Sequence, residues 1–148
     1  MLKNITAGLI EMYQTNNPFE LCDYLNIKII RSNLGSEIKG FFQRTVEGYE
    51  IIHINSKLND NESKYICAHE LGHAIMHTDL SLQFFIENPL QIKSKYEIQA
   101  DKFAAELLIP DNLESYECEL EGMTAEELGC YFGVPKELIE YKFGKEVI

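Results

Sequence analysis

The stretch Cys67–His77, "CAHELGHAIMH", places three histidines and a glutamate within eleven residues. His69 and His73 are four apart, so on an α-helix they sit about 40° apart in azimuth and one turn apart in height. Both imidazoles can then reach one ion. Neutral imidazole nitrogen suits Zn2+, which binds it at about 2.0–2.1 Å and keeps a position open for water in catalytic sites. Glu70 follows His69 on the helix, near enough to touch that water without ligating the ion. The arrangement is His-Glu-x-x-His, in which the glutamate is the general base of a zinc hydrolase. The bland alternative is an amphipathic helix that carries these polar residues by chance.

A third protein ligand is needed, and three residues compete for the role. His77 lies one more turn along the same face, and its ring would have to reach back past His73. Asp79 is six residues after His73, a spacing used by one zinc-protease clan, but that geometry needs a glycine hinge at position 76, where this chain has Met76. Glu97 lies in "YEIQADKFAAELL" with Asp101 four residues on, so both carboxylates share one face of a second helix. A carboxylate from that helix closes a His₂Glu set. Asp101 can accept the second ring N–H of a ligating histidine and fix its tautomer, and Ala100 keeps the helix slim enough for close approach. Against this stands Ser94-x-x-Glu97, which also spells a capping box. A cap explains Glu97 alone, whereas a zinc site explains Glu97, Asp101 and the His-Glu-x-x-His together.

These two helices need a scaffold. Helical spacing in "LKNITAGLIEMYQ" puts Leu2, Ile5, Leu9, Met12 and Tyr13 on one side. "NNPFELCDYLNI" reads as a second helix, capped by Asn17 with Pro18 at its first position. "IKII", "GFFQRTV" and "YEIIHIN" are β-branched and aromatic, and the last two flank the hairpin residues Glu47-Gly48. From an Asn59-Asp60 cap to about Thr78 the chain is helical. "SLQFFIENPLQIK" is irregular, and helical spacing resumes at Ser94 and stops at Pro110. The tail is acidic and helical, with Thr124 and Glu127 as a capping box and Pro135 starting the last helix. Helices, a small antiparallel sheet and more helices make an α+β fold. The expected plan is one domain over 1–148, with N-terminal helices in 1–30, sheet and site helices in 27–110, and the acidic tail in 111–148.

The bulk numbers narrow the function. At 148 residues, 45 % hydrophobic and 25 % charged, the chain is an ordinary globular protein. A net charge of −11 disfavours nucleic acid and anionic membranes. No apolar run approaches a membrane span, and the N-terminus lacks the pattern of a signal peptide. Cys22, Cys67, Cys118 and Cys130 never form CxxC and read as reduced, mostly buried thiols. Cys67 points away from the histidine face, toward the core. The expected compartment is the cytoplasm. Gly129, Gly133 and Ile139 loosely mimic a helix-turn-helix. With ten acidic and three basic residues in 111–148, however, this tail is expected to pack or dock rather than read DNA.

"CAHELGHAIMH" followed by "YEIQADKFAAELLIP" resembles the ImmA/IrrE family of metallopeptidases, gluzincin-like proteins often encoded on phages and mobile elements. "NPFELCDYLNI" and "GVPKELIEYKF" fit the same family, so the resemblance covers nearly the whole chain. It implies a zincin-like core, with zinc ligation by His69, His73 and Glu97 and the general base at Glu70. Family members act on helix-turn-helix transcriptional repressors, cleaving them and derepressing the element. The resemblance therefore implies a separate repressor polypeptide as partner. From another class comes the alternative of a zinc-bound anti-repressor that binds without cutting.

Overall fold

The computed structural model describes residues 1–77, 91–113 and 120–144, with the backbone alone for 91–94. Asp79, Cys118 and the irregular segment 81–90 lie outside the described residues. Helix α1 (Leu2–Tyr13) turns Leu2, Ile5, Leu9, Ile10 and Tyr13 toward the core. Met12 was expected there but is 72 % exposed. Met12 and Ile10 lie on opposite sides of the apolar stripe, and among the described residues packing covers the Ile10 side. Helix α2 (Pro18–Tyr24) starts as its sequence predicts: the Asn17 side chain accepts from the Phe19 N–H, and Pro18 follows at the first turn.

Three strands, β1 (Ile27–Ser32), β2 (Gly40–Arg44) and β3 (Glu50–Asn55), form one sheet in the order β1-β3-β2. β2 and β3 are the expected antiparallel hairpin, with Gly48 at φ 95° closing the turn through its N–H to Thr45 O at 3.0 Å. β1, however, runs parallel to β3, from Ile27 opposite Glu50 to Ser32 opposite Asn55. The sheet is therefore mixed, which corrects the antiparallel expectation. Alternation of side chains reports which face is buried and carries no information on strand direction. A parallel pair needs a long connection, and here residues 33–49, with β2 inside them, supply it.

Asn55 holds that crossover. Buried at the end of β3, it donates through Nδ2 to Gly35 O and Ile38 O, both at 2.8 Å, and accepts from Lys57 N at 3.1 Å. Ile52 and Ile54 on the central strand are fully buried. Helix α3 (Asp60–Met76) crosses this face, and it approaches Gly40 so closely that a Cβ there would lie 2.6 Å from Ile66 Cγ2. Its start is a capping box between Asn59 and Glu62.

Helix α4 (Gln91–Leu108) begins three residues before Ser94. Glu97 thus sits in its second turn, and the capping-box reading of Ser94-x-x-Glu97 falls away. Phe103 and Leu107 are core residues, while Leu108 is only partly buried. Helices α5 (Ala125–Phe132) and α6 (Lys136–Phe143) complete the chain. Thr124 and Glu127 form the expected capping box, Gly133 at φ 73° ends α5, and Pro135 is the N-cap of α6. Leu128, Leu138 and Ile139 are buried and α6 packs on α4, so this hairpin is part of the core. The architecture is α+β, with six helices and three strands among the described residues. No described helix is long and apolar enough to cross a membrane.

Candidate metal centre

Helices α3 and α4 are the platform, and Gly72 lets them meet. A Cβ at position 72 would sit 3.1 Å from Phe103 Cβ and Cδ1, closer than most side chains tolerate. Phe103 is fully buried against that seam, and Ala100 on the same helix is fully buried too. With no side chain at 72, the helices come close enough for the His69/His73 face to confront the Glu97/Asp101 face.

The confrontation is tight. Glu97 Oε2 lies 3.0 Å from His69 Nε2, and Glu97 Oε1 lies 3.0 Å from His73 Nε2. One ligand atom from each of His69, His73 and Glu97 falls within 4.8 Å of the others. Both rings commit Nδ1 elsewhere: His69 Nδ1 to Asp101 Oδ1 at 2.7 Å, His73 Nδ1 to His77 Nδ1 at 2.8 Å. Each imidazole is left with one nitrogen facing the common point. Two such nitrogens and a carboxylate are a donor set of catalytic zinc sites, so these residues fit the ion.

The electrostatics follow from this packing. Burial favours the neutral form of His69, but hydrogen bonds to Asp101 and Glu97 outweigh it and raise its pKa to about 10. The same His69 and His73 contacts hold the Glu97 carboxyl far below the usual range. Glu70 is 9 % exposed, and burial pushes its carboxyl up, opposed by the histidines and by a hydrogen bond from the Phe42 backbone on β2. A raised carboxyl is the environment a general base near neutral pH requires.

The residues singled out in the sequence are thus brought together, with Asp101 behind His69 and Glu70 beside it. Cys67 is fully buried, its Sγ 3.8 Å from Cys22 Sγ, on the core side as expected. His53 sits on the central strand β3, hydrogen-bonded to Gln43 at 2.7 Å and stacked on Phe41. His77 is the C-cap of α3, and its ring also reaches into the cluster.

Sequence reasoning missed three residues. The Tyr65 hydroxyl donates to Asp101 Oδ1 at 2.7 Å, and burial beside that carboxylate raises its phenol pKa. Its position four residues before His69 was the available signal. His77 was not foreseen as a partner of His73, nor was Gln99, whose Oε1 lies 2.9 Å from His77 Nε2. That contact joins residues distant in sequence and leaves no spacing to read.

Residues 22–143 match the family model of the IrrE N-terminal-like domain, Peptidase_M78. The chain is 40 % identical over 142 residues to uncharacterized immunity region protein 2 of Bacillus phage phi105, covering 96 % of this chain and 89 % of that one. It is 31 % identical over 147 residues to metallopeptidase ImmA of Bacillus subtilis strain 168, covering 97 % and 85 %. Among solved structures, a Mycobacterium tuberculosis transcriptional regulator matches with a TM-score of 0.61 at 15 % identity, a likeness of fold alone. That match covers 96 % of this chain and 47 % of the other, so the chain spans about half its length. With a family model matched over most of its residues and curated relatives matched along nearly all of them, the chain belongs to the ImmA/IrrE family of metallopeptidases.

Proposed function

We propose that the chain is a zinc-dependent endopeptidase with a zincin-like core, cleaving a partner helix-turn-helix repressor in the cytoplasm and so derepressing a phage or mobile element. The observation that carries this reading is the convergence of His69 Nε2, His73 Nε2 and the Glu97 carboxylate beside a buried Glu70. The relatives support the biology: one is named a metallopeptidase and another an immunity region protein of a phage. The net charge of −11 favours a protein target over the operator DNA.

His69, His73 and Glu97 would hold the ion, and Asp101 would fix the His69 ring by accepting its Nδ1–H. When bound, zinc supplies Lewis acidity that activates water near pH 7 and polarises a peptide carbonyl. Glu70 accepts the proton of the attacking water and delivers it to the leaving amine. Its raised carboxyl pKa suits both halves of that transfer. β2 is an edge strand tied to Glu70 through Phe42, so an extended substrate segment pairing with it would lie next to the site.

Glu70→Gln separates cutting from binding. The expected result is a variant that takes up one zinc per chain yet neither cleaves the repressor nor derepresses a reporter. Unchanged derepression by this variant supports the non-proteolytic anti-repressor instead, and absence of zinc from the purified wild type refutes both.

A further inference from the structure

Resting on the metal-site reading above, we propose that His77 and Gln99 form a neutral, polarised relay that positions His73 as a ligand. Asp101 orients His69 directly, because a carboxylate only accepts hydrogen bonds. His73 has a second imidazole behind it instead, with the two Nδ1 atoms 2.8 Å apart.

Two nitrogens at that distance need one proton between them. A neutral imidazole carries one N–H and one lone pair, so the direction of the bond is set by whatever holds the far side of His77. There His77 Nε2 lies 2.9 Å from Gln99 Oε1, an amide oxygen that accepts only. His77 therefore carries its proton on Nε2 and offers a lone pair at Nδ1. With the ion bound, His73 donates through Nδ1–H, which leaves the lone pair of its Nε2 for the ion, in place of the proton that Glu97 Oε1, 3.0 Å away, accepts without it. Gln99 thus sets the tautomer of His73 from two hydrogen bonds away.

The His77 ring is held for this role. Its backbone N–H donates to His73 O at 3.0 Å as the C-cap of α3, and its ring packs edge-on against Tyr96 at 4.5 Å between centroids. Charge gives the reason for a neutral relay. Glu97, Asp101 and Glu70 already place three carboxylates around a divalent ion, and a fourth behind His73 would add to that excess. A histidine–amide pair orients the ring without adding charge.

The test compares zinc affinity, by competition with a chromogenic chelator, for wild type, His77→Phe and His77→Gln. The phenylalanine keeps a ring but has no acceptor, so zinc should bind about 10- to 100-fold more weakly. The glutamine restores an acceptor and should recover affinity to within a few-fold of wild type, with metal-free melting temperatures equal across the set. In zinc-loaded wild type, long-range 1H–15N spectra should show His77 protonated on Nε2 with a lone pair on Nδ1. A His77→Phe variant that binds zinc as tightly as wild type, or the opposite His77 tautomer, overturns the relay while leaving the metal site standing. A wild type that takes up no zinc overturns the site itself.

Discussion

His69 Nδ1 and Asp101 Oδ1 lie 2.7 Å apart, bridging α3 and α4 at the point where Tyr65 also donates to the same carboxylate oxygen. The bond links stability to function, because it ties two helices together and dictates which nitrogen of His69 faces Glu97. Replacing Asp101 with Asn keeps the volume and lets the amide present either a donor or an acceptor. We expect zinc affinity to fall about 10- to 100-fold, with Tyr65→Phe costing less because His69 keeps its acceptor. Chelator competition on the two variants measures the difference, and equal affinities for wild type and Asp101→Asn would refute the orienting role.

Metal removal exposes a pH dependence of opposite sign to metal binding. In the metal-free chain the His69 pKa is raised from 6.5 to about 10, so its contribution to stability is complete below pH 6.5 and disappears as pH rises through 10. Glu97 is depressed, so its contribution is present above its usual value of 4.5 and is lost as pH falls. The urea midpoint of chelator-treated protein should therefore drop between pH 6.5 and 10. Zinc affinity should climb over the same interval, since the His69 proton must leave before the ion binds. Midpoints and affinities at pH 6.5 and 9.5 that move together contradict this assignment.

Gly72 tests the seam. A valine there places three carbons where even Cβ meets Phe103 at 3.1 Å. Gly72→Val should destabilise the fold by about 1–3 kcal/mol through overpacking and weaken zinc binding by prying the histidine face from Glu97. Denaturant titration and metal content of the same preparation read both effects. A variant that loses stability but keeps full zinc affinity would show that the site does not depend on this approach.

Asn55 tests the crossover. Its side chain satisfies two carbonyls and one N–H of residues 35–57, and Asn55→Ala leaves these without their partner at a cost of about 1–3 kcal/mol. Hydrogen exchange should speed up in 33–39 and at the start of β2 before it does in α1. Uniform exchange along the chain would place the bond's importance elsewhere.

Much of the site was legible because helical geometry is local. Spacings of four put His69 with His73 and Glu97 with Asp101, and the donor types of each pair pointed to a metal site. Caps at Asn17, Asn59 and Thr124 were readable for the same reason, since their bonds close within three residues. Strand direction was not legible: β1 joins β3 across seventeen intervening residues, and side-chain alternation is the same for either direction.

The amino-acid sequence by itself determined the donor types, the two helical faces that carry them and the net charge of −11. Tertiary structure decided what those faces meet. Glu97 faces both imidazoles because Gly72 admits Phe103. Met12 faces solvent because no element among the described residues covers its flank of α1. His77 joins His73 because Gln99, from another helix, accepts its proton. Each of these outcomes depends on contacts between segments distant in the chain, and such contacts leave no period or spacing in the order of residues.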